Sequence, residues 1–287
     1  SGNSAVPTTT TPAGKKATPK KSKYVISSDS SFAPFVFQNG KNKYTGIDMD
    51  LIKAIAKDQG FTIEIDNPGF DAAVSDVQSG HAQGMIAGMT VTDARKETFD
   101  FSEPYYTANS ILAVQKDSKI DSYDDLKGKT VGVKNGTASQ TFLEKNKNKY
   151  GYKIKTFSDG ASMYDSLNSG SVAAIMDDES VIKYAIKQGR KFKTPIEGTP
   201  SGQLAFAVKK GENPELIEMF NNGLANLKKN GQYQKILDKY LKSDSKSSTS
   251  STAVDETTIW GLLQNNYKQL LSGLGVTLAL ALLSFAI

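Results

Sequence analysis

Along this chain the spacing of apolar residues switches between two periods, first two and then about three and a half, and the switch recurs. Residues 24–28 alternate as a strand and end at Asp29. Residues 48–59 then place Leu51, Ile52, Ile55 and Ala56 on one helical face, with Gly60 as a stop. Residues 61–65 read as the next strand, 72–79 as a short helix ahead of Gly80, and 85–88 as a further strand. After a strand-like run at 111–114 the alternation begins afresh: strand 130–134, helix 139–146, strand 172–176, helix 180–188. A strand at 204–208 and helices at 214–230 and 233–241 complete the pattern. Strands alternating with helices predict an α/β fold with parallel-rich, helix-covered sheets. Two such runs followed by a return predict two lobes, 23–114 with 204–242 and 115–203, with crossovers near 114–118 and 200–204. A double crossover of this kind closes like a hinge around a ligand.

The flanks are different in kind. Residues 1–22 are rich in Thr, Pro, Ser, Ala and Lys without apolar period, which predicts a flexible linker, and 243–256 predict a second. The stretch 257–271 is amphipathic, with Trp260 and Tyr267 suited to a membrane interface. Residues 274–287 are uncharged and almost wholly apolar; since a bilayer takes about 20 residues to span, they read as the truncated start of a transmembrane helix. The alternative is a C-terminal apolar helix packed on the domain.

Charge removes one class of function. The net +5 falls to +1 once Lys15, Lys16, Lys20 and Lys21 of the first linker are set aside, so the folded part carries no nucleic-acid footprint. The absence of cysteine rules out a disulfide framework and thiolate metal sites. The single histidine, His81, lies in a turn-like stretch with no nearby acid, which makes a Ser–His–Asp triad or histidine metal site improbable. No metal and no cofactor is expected.

The segment 88–106, Gly-Met-Thr-Val-Thr-Asp-Ala-Arg-Lys-Glu-Thr-Phe-Asp-Phe-Ser-Glu-Pro-Tyr-Tyr, carries the most chemistry. Thr92 or Asp93 supplies a helix N-cap, and Arg95 falls in the first turn, where a cation opposes the helix dipole. Free N–H groups, two threonine hydroxyls and a guanidinium fork there suit a carboxylate ligand; the alternative is a solvated surface arginine.

The same segment resembles the signature of extracytoplasmic solute-binding proteins for polar amino acids, the capture components of ATP-driven importers. Ser28-Asp-Ser-Ser-Phe-Ala-Pro-Phe35, Tyr44-Thr-Gly-Ile-Asp-Met-Asp50, Asp124-Asp-Leu-Lys-Gly-Lys129, Val133-Lys-Asn-Gly-Thr-Ala-Ser139 and Asn230-Gly-Gln-Tyr233 agree in the same order, over 23–242. The resemblance implies a two-lobed type II periplasmic-binding-protein fold, extracytoplasmic and membrane-anchored. Thr277-Leu-Ala-Leu-Ala281 is similar to the start of an importer's permease, which implies a permease in the same polypeptide and an ATPase subunit as partner.

The resemblance also implies the ligand set. Arg95 and the Thr90 hydroxyl, with the Ala138 N–H from across the cleft, take the ligand carboxylate. Asp178 and the Gly88 carbonyl take its ammonium group. Phe32 and Phe70 sandwich the aliphatic stem, unless both are simply core. Asp29 and Lys134, one from each lobe, read the side-chain end. An amide satisfies both, since its NH2 donates to Asp29 and its carbonyl accepts from Lys134. Glutamate would meet Asp29 and a basic side chain would meet Lys134, so glutamine is favoured, with asparagine second. The alternative is a structural ion pair between Asp29 and Lys134. Asp177 and Met89 complete the candidates; adjacent strand residues point to opposite faces, so one of Asp177 and Asp178 is expected to face away. A glutamine-binding member of the family has histidine where Asp177 stands and glycine where Ala138 stands, so this chain departs from it at both. The rival functions are an enzyme of the same fold, such as a dehydratase with Asp177 and Lys134 as acid and base, and a ligand-sensing receptor domain.

Overall fold

The protein's structure, a computed structural model, describes residues 17–243. The interfacial and membrane-spanning segments expected at 257–287, and most of both linkers, lie outside the described residues. No helix among the described residues is long and apolar enough to cross a membrane.

The first lobe starts with β1 (Tyr24–Ser27), a small hairpin of β2 (Phe37–Gln38) and β3 (Tyr44–Thr45), and α1 (Ile47–Gln59). It continues through β4 (Ile63–Asp66), α2 (Phe70–Ser79), β5 (Gly84–Met85), α3 (Asp93–Lys96) and β6 (Phe99–Phe101). The chain leaves along β7 (Tyr106–Gln115) and builds the second lobe from β8 (Thr130–Lys134), α4 (Ala138–Tyr150), β9 (Lys153–Phe157), α5 (Gly160–Ser169), β10 (Ala174–Asp178), α6 (Glu179–Lys187) and β11 (Phe192–Lys193). It returns along β12 (Thr199–Leu204) to β13 (Ala207–Lys209), α7 (Pro214–Lys229) and α8 (Gln232–Leu241).

Each lobe is a sheet covered on both faces. The first has strand order β4-β1-β5-β13-β6, with β1, β4 and β5 parallel and β13 antiparallel to β5 and β6. One face packs Tyr24, Ile26 and Phe206 against Leu51, Ile52 and Ile55 of α1 and Phe220 of α7; the other packs Met85 and Ala207 against Ala73 and Val77 of α2. The second has order β11-β7-β10-β8-β9. Its period of two is visible in the core: Leu112, Val114, Val131, Val133 and Met176 join Leu143 of α4, while Ile111, Ala113 and Ile175 join Met163 and Leu167 of α5 and Ile182 of α6. This is the two-lobed α/β fold of the periplasmic binding proteins.

The crossovers are two strands of one ribbon. β12 runs antiparallel to the first half of β7, from Thr199 opposite Ser110 to Leu204 opposite Tyr106, with a register shift between Pro200 and Gly202. The outward crossover expected at 114–118 therefore lies earlier, within 106–110. Ile111 to Val114 are fully or almost fully buried in the second lobe, because a ten-residue strand can pair with β12 at one end and with β10 and β11 at the other. The expected strand 204–208 is likewise two strands, since Leu204 ends the ribbon and Ala207 enters the first sheet. Ala17 packs on the first lobe's core and the Lys20 N–H donates to the Tyr24 hydroxyl, so the end of the expected 1–22 linker lies on the lobe.

Candidate functional site

Parallel strands deliver chain ends to one rim of each sheet, and such rims are where α/β folds gather ligand groups. On the first lobe, Asp29 follows the end of β1, Asn67 that of β4 and Gly88 that of β5. On the second, β8 ends at Lys134 and β10 at Asp178.

Three of the expected residues meet on the first rim. Thr92 caps α3 by accepting the Arg95 N–H at 3.1 Å, which fixes the backbone beneath the guanidinium. Arg95 Nη1 then donates to the Thr90 carbonyl at 2.7 Å, and the guanidinium lies 5.3 Å from the centre of the Phe70 ring. The contact to Thr90 is through its carbonyl. Among the described residues no carboxylate lies within ion-pair distance of Arg95. A half-buried guanidinium held by one carbonyl and one ring keeps most of its donors free.

Gly88 and Phe32 form a second group. Gly88 has φ +56°, and a Cβ there would sit 2.5 Å from Cδ1 and Cε1 of Phe32. Only glycine lets the ring lie against the backbone. Phe32 stacks on Phe35 at 5.2 Å, and Phe35 meets the edge of Tyr106 at 5.3 Å, so the aromatic run reaches from this rim to the ribbon. Phe70 is the first residue of α2, after the Gly69 cap. Met89 is buried against α2 and takes no place on the open rim.

Asp29 turns back on its own chain: Oδ1 accepts the Ser30 N–H at 2.7 Å, while its carbonyl accepts from Asn67 Nδ2 at 2.9 Å. Lys134 does not pair with it. Its ammonium lies 3.8 Å from Oδ1 of Asp177 on the neighbouring strand of its own lobe. The interlobe ion pair weighed as an alternative is therefore absent from the ion pairs among the described residues.

The two adjacent acids separate as the strand period requires. Asp177 is buried on the α5 side, where it accepts from the Tyr164 hydroxyl at 3.1 Å and the Asp178 N–H at 2.9 Å. Burial and the Asp177 charge push the Tyr164 hydroxyl well above its ordinary range. Asp178 faces the other way, half-buried, with no cation within ion-pair distance among the described residues. Burial first, and then the Asp177 charge, raise its carboxyl above the usual carboxylate value, with Lys134 opposing. Ala138 is exposed as the first residue of α4, after the Thr137 cap. Glu179 is held by Lys183 at 2.9 Å and Asn109 at 2.8 Å, the role of an acid at a helix start. A cavity of about 630 Å³ near Tyr106, Asn109 and Glu179 is bordered by α6 and α8, not by the strand ends.

Two residues of this region were not foreseen. Asp48, in the first turn of α1, is wholly buried and accepts the Gly88 N–H at 2.6 Å. The wholly buried Tyr105 hydroxyl lies beside that carboxyl without completing a regular hydrogen bond to it. Burial pushes the Asp48 carboxyl up to about 7. The signal was present in the helix period: positions 48, 52, 55 and 59 share one face, and all four are buried.

Two helix-sandwiched lobes, joined by a two-stranded ribbon and presenting charged strand ends on two rims, define a periplasmic-type binding protein. Residues 24–243 match the bacterial extracellular solute-binding proteins, family 3, and the chain belongs to that family. It is similar to the second substrate-binding domain of a putative amino acid ABC transporter from Streptococcus pneumoniae Canada MDR_19A, with 77% identity and TM-score 0.74. That match covers 76% of this chain and 99% of the other. Substrate-binding domain 2 of Lactococcus lactis GlnP, in its open conformation, is 61% identical with TM-score 0.78, covering 80% and 100%. The arginine-binding extracellular protein ArtP of Bacillus subtilis is 30% identical, covering 77% and 87%.

Proposed function

We propose that this domain captures a free α-amino acid between its lobes outside the membrane and delivers it to an ATP-driven importer, and that L-glutamine is its preferred ligand. One observation carries the reading: among the described residues, Arg95 on the first rim has no carboxylate and Asp178 on the second no cation within ion-pair distance. A zwitterionic amino acid supplies both missing partners, and buried charges are tolerated only when so paired. Gly88 offers its carbonyl to the ammonium group, Thr90 its hydroxyl and Ala138 its N–H to the carboxylate, and Phe32 and Phe70 the walls for the stem. Asp29 and Lys134 are the side-chain readers.

The glutamine preference rests on charge. Lys134 is shared with Asp177, so a neutral amide meets one acid and a half-neutralised cation, each of which it can satisfy. Arginine is the second reading. Asp177 offsets Lys134, leaving Asp29 as surplus negative charge, and ArtP carries that specificity in its name. A permease in the same polypeptide is supported by the Thr277–Ala281 motif. The relatives are named as binding proteins and transporter domains, which supports capture rather than turnover.

Calorimetric titration of residues 17–243 tests the reading; the 77%-identical counterpart is a structure of the isolated domain, covered over 99% of its length. Glutamine is expected to bind one-to-one, at least tenfold tighter than glutamate, asparagine or arginine. Arginine binding tightest would transfer the specificity to the second reading, and binding of none of the four would remove the amino-acid reading altogether.

A further inference from the structure

Next to the proposed ammonium subsite lies a carboxylate whose one regular hydrogen bond to the rim is through the Gly88 N–H. Asp48 is wholly buried, on the inner face of α1, and its one regular hydrogen bond is to the Gly88 N–H at 2.6 Å. That short, charge-assisted contact fixes the peptide plane preceding Gly88. Gly88 itself sits at φ +56° with the Phe32 ring against its Cα, so its backbone has little latitude once the N–H is held. Its carbonyl accepts from no donor among the described residues, although its neighbours do: Met89 accepts from the Ala205 N–H and Thr90 from Arg95. A carbonyl without a donor, next to a buried carboxylate, is a site of negative potential.

We infer that Asp48 is the positioning residue of the ammonium subsite: by holding the Gly88 N–H it sets the direction of the Gly88 carbonyl toward the ligand's α-ammonium group. The inference rests on the proposed amino-acid capture and adds to it a residue that never touches ligand. Tyr105 lies beside the same carboxyl, whose second oxygen, Asp48 Oδ1, has no regular partner among the described residues. The carboxylate is thus shielded from solvent and directed through the one amide. Asparagine at position 48 would retain an acceptor for Gly88 and lose only the charge, whereas alanine would leave a buried N–H without a partner.

The test separates positioning from general support by varying the ligand's amino group. Glutamine and glutaramic acid, its counterpart lacking the α-amino group, are measured by calorimetry and competition on wild type, Asp48→Asn and Asp48→Ala of residues 17–243. Asp48→Ala is expected to weaken glutamine at least tenfold and glutaramic acid less than threefold, and Asp48→Asn to restore glutamine to within threefold of wild type. Equal weakening of both ligands, or an Asn variant no better than Ala, would overturn the inference. Should the Ala variant fail to fold, Asp48→Val fills more of the same space without any acceptor and is held to the same ratio. If wild type takes arginine and not glutamine, arginine and its des-amino counterpart serve as the pair, so a wrong ligand assignment is distinguished from a wrong role for Asp48. If neither amino acid binds, the capture reading falls and this inference with it.

Discussion

The sharpest consequence of the Lys134–Asp177 pair is that ligand preference should follow the charge of that pair. Lys134→Met removes the cation and leaves Asp177; Asp177→Asn does the reverse; the double variant removes both. A basic side chain about 7 Å from an unpaired charge at an effective dielectric of about 20 feels roughly 2 kcal/mol. The Lys134 side chain is 31% exposed, so solvent screens part of this and about 1 kcal/mol is the fairer figure. Arginine should gain about fivefold over glutamine in Lys134→Met and lose about fivefold in Asp177→Asn, a spread of about 25-fold. The double variant should return close to wild type. The assay is the ratio of glutamine to arginine dissociation constants, measured after circular dichroism confirms that each variant is folded. Folding is a real check, because Asp177 is 4% exposed and breaking a buried pair costs up to about 3–5 kcal/mol, reduced here by the open Lys134 end. The Tyr164 hydroxyl and the Asp178 N–H remain to satisfy Asp177 when Lys134 is gone. A ratio that ignores the charge, or that moves in the same direction in both single variants, would show that Lys134 does not face the ligand.

Three further outcomes are expected. Arg95→Ala should weaken amino-acid binding at least about thirtyfold, the effect of truncating one partner of a desolvated charge pair. It should cost only about 1 kcal/mol of stability, since the folded protein loses one hydrogen bond to a carbonyl and one ring contact; a large fall in melting temperature with binding intact would assign Arg95 to structure instead. Gly88→Ala should destabilise by about 2–4 kcal/mol, from the left-handed backbone and the 2.5 Å approach to Phe32, read by urea unfolding. The third concerns pH. Asp48, facing Tyr105 and influenced by Asp29, has its carboxyl raised from 3.8 to about 7 by burial, so the native state binds the extra proton between those values. The Asp48 contribution to stability should therefore be fully present below about pH 4, fall as pH rises through the window, and be lost above about 7, a change of at most about 4 kcal/mol. Asp48→Asn should flatten that slope and be the more stable protein at pH 8; an unchanged slope in chemical unfolding would remove Asp48 as its source.

The sequence pattern was most legible where one physical cause acts alone. β8 occupies the expected 130–134: Val131 and Val133 share one buried face, the buried Gly132 between them leaves room for Phe157 and Ile175 on the other, and Thr137 caps the helix α4 beyond it. α7 begins at Pro214, as a proline at the first helical turn requires. Legibility fails where tertiary pairing decides. β10, expected at 172–176, lies two residues later and takes two aspartates into a central strand, since Asp177 and Asp178 pair with Ile111 and Ser110 of β7. No hydrophobic pattern announces that; the compensation comes from Lys134 and Tyr164, distant in sequence. β9 and α5 were not foreseen at all. β9 is an edge strand whose Lys153 is exposed, and α5 shows only Met163, Tyr164 and Leu167 to the core behind a polar Asp159 cap. Among site residues, Arg95, Thr90 and Phe70 do meet, whereas Asp48 carried no expectation of its own.

The distribution of charge across the two rims also says why closure should be coupled to the α-amino acid group and not to the side chain. Each lobe is nearly self-sufficient at the proposed side-chain end: Asp29 is engaged by the Ser30 N–H, and Lys134 by Asp177. Neither gains much by meeting the other lobe, and the two do not pair. At the other end, among the described residues, Arg95 on one lobe and Asp178 on the other have no opposite charge within ion-pair distance. A ligand shifts an open–closed equilibrium only by its differential affinity for the two states. On the proposed reading, that differential comes from the zwitterion: its carboxylate engages Arg95 in either state, but its ammonium reaches Asp178 only when the lobes approach. A ligand with the right side chain and no ammonium group should therefore bind without closing the protein. Small-angle scattering with saturating glutaramic acid should show the unliganded radius of gyration, and glutamine a smaller one. Equal compaction by both would place the closure signal at the side-chain end instead.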